Sequence, residues 1–316
     1  MPFVWRARQE ASPDPNRIQM RLGVDLGGTK IEIAALAGDG SERLRRRIAT
    51  PAGYEAIVAA VARLVNEAEG ELGTTCQVGI GTPGTWSRVD GRFRNSNTVC
   101  LNGKPLRDDL QRALGREVRL ANDANCFALS EAHDGAAAGA DVVFGVILGT
   151  GVGGGLVAHG RVLDGPNGIA GEWGHNPLPV ADEPAPPACY CGRRGCVETF
   201  LSGPGLLADH RRHGGVETTV ADIVTAAANG EADCRATLER YCERLARGLA
   251  TVINIVDPDL IVLGGGVSNI DLLYAEVPRR WKRHVFSDRV DTRLVRHRHG
   301  ASSGVRGAAL LWPEGW

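Results

Sequence analysis

Asp25-Leu26-Gly27-Gly28-Thr29-Lys30 joins two short apolar segments near the start of the chain. Both segments have the composition of β-strands, and the glycine pair between them favours a tight hairpin turn. The glycines lack Cβ atoms, so backbone N–H groups can converge on a phosphate there, and the threonine can donate a side-chain hydrogen bond. The aspartate at the strand end is suited to hold hydrated Mg²⁺. Because a strand follows the turn, the pattern is neither a P-loop nor a Rossmann turn.

Two further glycine-rich turns follow apolar segments, at Gly149-Thr150-Gly151-Val152-Gly153-Gly154-Gly155 and at Gly264-Gly265-Gly266. The first repeats the strand-glycine-strand pattern with a hydroxyl at Thr150, and two such turns facing each other would clamp a triphosphate. The second ends a buried strand, where a flat adenine can lie against bare backbone. Each turn alone is also typical of an ordinary tight turn, but the three together predict a nucleotide site.

Hydrophobic periodicity predicts an α/β protein. The predicted helices cover residues 54–72, 106–114, 124–138 and 234–255, and the predicted strands cover 21–25, 30–37, 77–80, 118–120, 142–148, 156–159 and 260–263. The second half repeats the order of the first, which indicates a distant duplication. Residues 165–187 lack periodicity and are rich in Gly and Pro, so we expect a long functional loop there.

Composition restricts the class of partner. The 316 residues suffice for two domains, 43% of them are apolar, and the 36 basic side chains nearly balance the 37 acidic ones. With no basic face, nucleic acid and membrane partners are not expected, and a small molecule is. No signal-peptide core precedes Met20, so we expect a cytoplasmic protein. Residues 1–19 are expected to be a disordered extension.

Asp123 follows the predicted strand 118–120 and stands at a helix N-terminus, where the helix dipole favours its ionised form. A carboxylate so placed suits a general base that takes the proton of a sugar hydroxyl during phosphoryl transfer. An Asn-Asp pair at a helix start is also typical of an N-cap. The interpretation of Asp123 as a base therefore depends on its context.

Three of the eight cysteines form a compact cluster, Cys189-Tyr190-Cys191 followed by Cys196. With His175 upstream, this spacing predicts a tetrahedral Cys₃His zinc site, and a site with four protein ligands is structural. Zinc on one ring nitrogen of His175 would leave the other free to donate to a sugar oxygen. The cluster would also bring the carboxylates of Glu172 and Glu198, which flank it, to the site that binds the sugar. The remaining cysteines are expected to be small buried hydrophobes (Cys76, Cys100, Cys126, Cys234 and Cys242).

Five motifs in order resemble the ROK family of bacterial sugar kinases and repressors, and the resemblance runs from about Met20 to Trp316. The motifs are Asp25–Lys30, Asn122-Asp123-Ala124-Asn125, Gly149–Gly155, Glu172-x-Gly174-His175 and Cys189–Glu198. The resemblance implies an actin-like, hexokinase-type (ribonuclease H-like) fold of two α/β domains with a cleft between them. Residues 20–121 plus 300–316 would form the smaller domain and 122–299 the larger domain with the zinc-binding loop. It also implies a homodimer.

The resemblance further implies Mg-ATP in the cleft, a structural Zn²⁺ and Asp123 as the catalytic base. The sugar hydroxyls would be held by Gly84, Asn97, Asn122, Glu172, His175 and Glu198. The nucleotide and its Mg²⁺ would be bound by Asp25, Gly27, Gly28, Thr29, Lys30, Gly149, Thr150, Gly151, Gly153, Gly265 and Gly266. The zinc ligands would be His175, Cys189, Cys191 and Cys196.

Within the family, residues 171–179 and 101–105 look most like bacterial fructokinases of the manno(fructo)kinase type. The expected reaction is ATP-dependent phosphorylation of fructose at the 6-hydroxyl, with mannose as a further substrate. N-acetylglucosamine kinase and glucokinase are the alternatives. The segment Thr82-Pro83-Gly84-Thr85-Trp86 departs slightly from the Ile-Pro-Gly pattern that is more usual in the family, and Trp86 is expected to alter the wall of the sugar pocket. A sugar-sensing repressor needs a helix-turn-helix domain of some 60 residues, and only about 20 residues precede the first strand. A sugar-binding protein without catalysis is disfavoured by Asp123 and the glycine turns.

Overall fold

The hairpin at Arg21–Leu36 opens the first of two five-stranded sheets. The structure, a computed structural model, describes residues 20–179 and 186–312. The predicted extension 1–19 lies outside the described residues. The strands are Arg21–Leu26 (β1), Lys30–Leu36 (β2), Glu42–Ala49 (β3), Gln77–Thr82 (β4), Thr85–Trp86 (β5), Phe93–Arg94 (β6), Val118–Asn122 (β7), Val142–Leu148 (β8), Val152–Ala158 (β9), Arg161–Val162 (β10), Leu260–Gly264 (β11) and Arg293–Arg296 (β12).

Both sheets are mixed and have the same pattern of pairing. The first runs β3-β2-β1-β4-β7 and the second β10-β9-β8-β11-β12. In each sheet, the first three strands in this order pair antiparallel. The third of them, β1 or β8, runs parallel to the last two strands. The repeated order is what the predicted duplication implies. The inner parallel strands β1, β4, β8 and β11 are mostly buried, which explains why their sequences are mainly apolar.

Helices cover the sheets and connect them. They are Tyr54–Leu72 (α1), Leu106–Leu114 (α2), Asp123–His133 (α3), Val197–Leu201 (α4), Gly203–Arg212 (α5), Val220–Ala228 (α6), Ala232–Val256 (α7), Leu272–Trp281 (α8) and Ser303–Ala309 (α9). One core lies between the first sheet, α1 and α2, and a second lies between the second sheet and the helices from α4 to α8. Among the described residues, no helix has both the length and the apolar character needed to cross a membrane.

Helix α9 returns the end of the chain to the first sheet. It packs on β1 and β4 and also crosses α3. Because α3 follows β7 of the first sheet and packs on β8 and β9 of the second, these two helices connect the sheets. The division into residues 20–121 with 300–316 and residues 122–299 stays a prediction. Residues 313–316 of that division lie outside the described part of the chain.

The sequence predictions of α1, α2 and β8 are confirmed to the residue. Two predicted bounds were wrong by four residues or more. The expected turn 149–155 is shorter, because β9 already begins at Val152. Its glycines belong to the strand because α3 packs directly on it: a Cβ on Gly155 would lie 2.4 Å from the carbonyl oxygen of Ala124. Helix α3 also ends at His133 and not at 138.

Candidate active site

The carboxyl ends of β1, β4 and β7 bring the predicted polar residues together. Asp25 pairs with Gly81 on β4, and Thr82 of β4 pairs with Asn122 on β7. Since these strands are parallel neighbours, their ends share one edge of the sheet. Asp123 follows immediately as the first residue of α3.

Asn122, and not Asp123, caps helix α3. The Asn122 Oδ1 accepts a hydrogen bond of 2.7 Å from the backbone N–H of Asn125. Asp123 Oδ1 accepts only the neighbouring N–H of Ala124, at 2.8 Å. The alternative that Asp123 is a mere cap is therefore removed by the geometry, because the capping role belongs to its neighbour.

The Asp123 carboxylate has the pKa of a usable base. Its side chain is open to solvent, yet protein surrounds it closely on the other sides. This desolvation raises its pKa to about 6, and the nearby negative charges of Asp25 and Glu172 act in the same direction. The Ala124 N–H opposes the shift only in part. A base is most effective when its pKa lies near the working pH.

Asp25 is a second carboxylate in the same place. Burial raises its pKa, while the ammonium of Lys30 acts in the opposite direction. Its negative charge also raises the pKa of Asp123, and two neighbouring carboxylates are an unfavourable pair unless a proton or a cation lies between them. The donor set of Asp25 is therefore suited to a hydrated Mg²⁺.

The first glycine turn is built as a tight hairpin. The N–H of Gly27 donates to the Lys30 carbonyl at 2.9 Å. Thr50 holds the turn from outside, because its hydroxyl donates to the Gly27 carbonyl and its N–H donates to the Thr29 carbonyl. The Lys30 ammonium lies 3.4 Å from Glu32, a fully buried carboxylate. Lys30 is thus directed towards Glu32 in this structure, and the backbone of Gly28 and Thr29 is the part of the turn that is open.

The second glycine turn is held by Glu198. The carboxylate of Glu198 accepts a hydrogen bond of 3.0 Å from the N–H of Val152. It lies so close to the turn that a Cβ on Gly151 would be 2.6 Å from its Oε2. The sequence reasoning placed Glu198 on the sugar, and the structure also gives it this contact with the turn predicted to bind phosphate. Thr150 is exposed at the tip between Gly149 and Gly151, and Gly153 lies in β9.

The third glycine run follows β11. Gly265 has a φ of +81° and lies against Leu148 at the end of β8, so this turn and the second turn are adjacent. Gly266 faces open space. Two of the three predicted nucleotide turns are thus neighbours at one edge of the second sheet.

Glu172 lies beside the base. Its Oε1 accepts a hydrogen bond of 3.2 Å from Asn122 Nδ2, and burial raises its pKa. Its loop is fixed because the next residue, Trp173, is buried and donates to the Gly153 carbonyl at 3.1 Å. Glu172 and Asn122 are therefore brought together with Asp123, as the sugar site requires.

A narrow slot of about 20 Å³ lies beside these residues. It contains the predicted residues Gly84 and Asn122, while Asn97 is exposed and does not line it. The slot is large enough for about one water molecule, so a hexose needs it to open. Its other lining residues are Thr82, Thr85, Trp86, Arg88, Leu120, Ala121, Asn125, Asp164 and Gly168.

Asn125 and Asp164 are lining residues that sequence reasoning missed. Asn125 is 7% exposed, and within the described ranges its Oδ1 has no hydrogen-bond partner. A buried amide oxygen without a partner is costly and marks a place where a ligand atom can bind. Asp164 lies 3.8 Å from Arg88 across the slot. The only sequence signal for Asn125 was its place in the Asn-Asp-Ala-Asn motif.

The predicted zinc ligands converge. One ligand atom each from His175, Cys189, Cys191 and Cys196 lies within 4.8 Å of all the others. His175 Nδ1 faces Cys189 at 3.5 Å, and the sulfurs of Cys191 and Cys196 are 3.6 Å apart. Three thiols and one imidazole at this spacing fit tetrahedral Zn²⁺.

The second ring nitrogen of His175 has a partner that sequence reasoning did not foresee. Nε2 lies 3.0 Å from the hydroxyl of Tyr190, whose ring meets the imidazole edge to face. The nitrogen expected to contact a sugar oxygen is therefore in contact with Tyr190 here. Of the cysteines expected to be buried hydrophobes, Cys100 is exposed because it lies in a short turn at the surface, whereas the other four are buried.

Comparison with known proteins identifies the family. The family model described as "ROK family" matches residues 21–315. The chain belongs to the ROK family. It is 43% identical over 303 residues to the N-acetyl-D-glucosamine kinase of Vibrio cholerae, which covers 92% of this chain and 99% of that protein. The N-acetyl-D-glucosamine kinase of an Escherichia coli strain is 42% identical, with the same coverage.

Solved structures of the ROK family have the same fold. The ROK hexokinase of Thermus thermophilus is 33% identical, with a TM-score of 0.83 over 93% of this chain and 97% of that one. The ROK glucokinase of Streptomyces griseus, solved with glucose and AMPPNP, is 28% identical, with a TM-score of 0.73 over 94% and 100%. The predicted actin-like, hexokinase-type fold is confirmed. The chain is an ATP-dependent sugar kinase of the ROK family.

Proposed function

We propose that this ROK kinase transfers the γ-phosphoryl group of ATP to the 6-hydroxyl of N-acetyl-D-glucosamine, with Asp123 as general base. The observation that carries the mechanism is the environment of Asp123. Its carboxylate is not used as a helix cap, it is open to solvent, and its pKa is raised to about 6. A carboxylate with these properties can accept the hydroxyl proton as the oxygen attacks phosphorus.

The sugar is proposed to bind between Asp123 and the slot. Asn122 and Glu172, already hydrogen-bonded to each other, would exchange part of that bond for sugar hydroxyls. Gly84 would contribute from the wall of the slot, Glu198 and His175 from the zinc side, and Asn97 from its exposed loop. Opening of the slot would admit the hexose, and closing it again would exclude water that could otherwise react with ATP.

The nucleotide is proposed to bind between the two sheets. The backbone at Gly27, Gly28 and Thr29 on one side and at Gly149, Thr150 and Gly151 on the other would hold the phosphates. Gly265 and Gly266 would lie against the adenosine. Asp25 would hold a hydrated Mg²⁺, which would supply charge neutralisation for the transferred phosphoryl group. Lys30 would take part only if it exchanged Glu32 for a phosphate.

Structural Zn²⁺ is proposed on His175, Cys189, Cys191 and Cys196, whose ligand atoms fit the ion. A zinc ion on these four ligands would hold the loop from His175 to Cys196 together and so fix the positions of Glu172 and Glu198 at its two ends. The homodimer implied by the family stays a prediction, which size-exclusion chromatography with light scattering can test.

The choice of N-acetyl-D-glucosamine rests on the relatives. Fructose was the sugar first expected, but relatives that are 42–43% identical over nearly their whole length carry the name of the alternative, N-acetyl-D-glucosamine kinase. No relative named above is a fructokinase. Trp86, expected to alter the wall of the sugar pocket, lines the slot.

A coupled ADP-release assay tests the proposal. N-acetyl-D-glucosamine, glucose, fructose and mannose are compared with Mg-ATP, and kcat/KM is expected to be highest for N-acetyl-D-glucosamine. A site that hydrogen-bonds an acetamido group should discriminate strongly against sugars that lack it. A higher kcat/KM for fructose or glucose would overturn the substrate assignment, and the absence of ADP release with all four sugars would count against the kinase mechanism.

A further inference from the structure

A second cluster of metal-ligating side chains shares no residue with the Cys₃His site. His210 lies in the last turn of α5, Glu217 in the loop after it, and Cys234 in the first turn of α7. An imidazole nitrogen, a carboxylate oxygen and a sulfur from these three residues all lie within 4.8 Å of one another. Two helices and a loop thus direct ligand atoms of three kinds to one point.

The cluster is buried on the helix side and open on the loop side. His210 and Cys234 are each 1% exposed, whereas the Glu217 side chain is 19% exposed. Groups of this polarity are rarely buried together unless they are paired or bind a metal. The opening at Glu217 gives a metal ion a path of entry.

His210 Nδ1 faces Thr237. The Thr237 hydroxyl lies 2.9 Å from the Asp233 carbonyl and 2.9 Å from His210 Nδ1, so it can donate to the first and accept from the second. Nε2 is in hydrogen-bond contact with the Glu217 carboxylate, so a metal ion bound at Nε2 would displace the proton between them and leave the other ring proton on Nδ1, facing Thr237. Metal-binding histidines are typically held in this way, with one ring N–H bound to a neighbouring group and the other nitrogen on the metal.

The ligand atoms touch each other directly. His210 Nε2 is in a short contact with Glu217 Oε2, just as His175 contacts Cys189 in the Cys₃His cluster. A cation bound here would have to displace the protons that the imidazole and the thiol hold.

We propose that His210, Glu217 and Cys234 bind a second zinc ion, separate from the Cys₃His site. A mixed set of nitrogen, oxygen and sulfur ligands suits Zn²⁺, which binds all three and accepts water in a fourth position. The ion would cross-link the end of α5, the loop 213–219 and the start of α7. Its role would be to stabilise the helices that cover the second sheet.

Zinc content of the full chain tests this site. The tag-free protein is loaded with ZnSO₄, dialysed against zinc-free buffer and measured by plasma mass spectrometry. Cys234→Ala is expected to hold one zinc ion fewer per chain than wild type. Cys242→Ala is the matched control, because Cys242 is also fully buried on α7 but lies outside the cluster. Equal zinc content in the two variants would overturn the proposal.

Glu217→Gln provides an independent test if Cys234→Ala does not fold. Glutamine keeps the size of the side chain and its hydrogen bond to His210 but is a much poorer zinc ligand. The variant should lose one zinc ion per chain and the rise in melting temperature that zinc gives the wild type. Wild-type zinc content and an unchanged zinc-dependent rise would contradict the site. None of these measurements uses sugar or ATP, so their outcome is independent of the proposed kinase reaction.

Discussion

Protonation of Asp123 should control the pH dependence of the kinase. Burial raises its pKa to about 6, with Asp25 and Glu172 adding repulsion. Only the carboxylate accepts a proton, so kcat/KM should rise with pH and level off above about pH 7. A group with this pKa is about 90% ionised at pH 7 and about 10% ionised at pH 5, so kcat/KM should fall roughly tenfold between them.

Asp123→Asn should remove this base with little change of shape. Proton transfer by a positioned side chain contributes roughly 10²–10⁴-fold, and kcat should fall by that factor. The KM for the sugar should change little, because the amide can still contact a hydroxyl. The residual activity should also lose its dependence on pH between 5 and 7.

The same substitution should stabilise the folded chain at neutral pH. The pKa of Asp123 is raised from 3.8 to about 6 on folding, so the folded state favours the protonated form. Stability is therefore gained as pH falls from 6 to 4, and the ionised carboxylate costs free energy above pH 6. A gap of about two pKa units corresponds to roughly 3 kcal/mol, which solvent access reduces to about 1 kcal/mol.

Steady-state ADP release from pH 5 to 8 and thermal unfolding at pH 5 and 7.5 measure both effects. Asp39→Asn, in the exposed turn between β2 and β3, is the control for removal of a carboxylate at the surface. Wild-type turnover of Asp123→Asn, or a flat wild-type profile between pH 5 and 7, would refute the role assigned to this residue.

Three further outcomes are expected. Glu172→Gln should raise the KM for the sugar by roughly 10- to 100-fold, because a charge-assisted hydrogen bond is lost. The KM for ATP should stay unchanged, and equal changes in both KM values would contradict a sugar contact. Asn125→Ala should lower kcat/KM by roughly 3- to 10-fold if its free oxygen binds the substrate, and unaltered kinetics would show that it does not. Cys191→Ser should reduce zinc content and melting temperature relative to Cys100→Ser, an exposed cysteine outside the cluster, and identical zinc content in the two variants would rule out the ligand set.

Local sequence patterns determined much of the fold. Helical spacing located α1 and α2 to the residue, because an amphipathic helix needs only a periodic apolar face and end signals. The hairpin around Gly27 and the three clustered cysteines were also local, since turn geometry and the spacing of Cys189, Cys191 and Cys196 are encoded within a few residues. Short helices such as α4, the edge strand β3 and the parallel strand β12 were missed, because their patterns are too short or too polar to stand out.

Only the tertiary structure decided the chemistry around Asp123. From the sequence, Asn122 and Asp123 were equal candidates for the helix cap, and their roles separate only when the hydrogen bonds are seen. The pKa of Asp123 depends on Asp25, about a hundred residues earlier in the chain, and on Glu172, because electrostatic repulsion acts through space. In the same way, the contact of Tyr190 with His175 depends on how one loop folds back on itself. The sequence thus determined which groups the kinase carries, and long-range packing determined which of them meet and in what state of protonation.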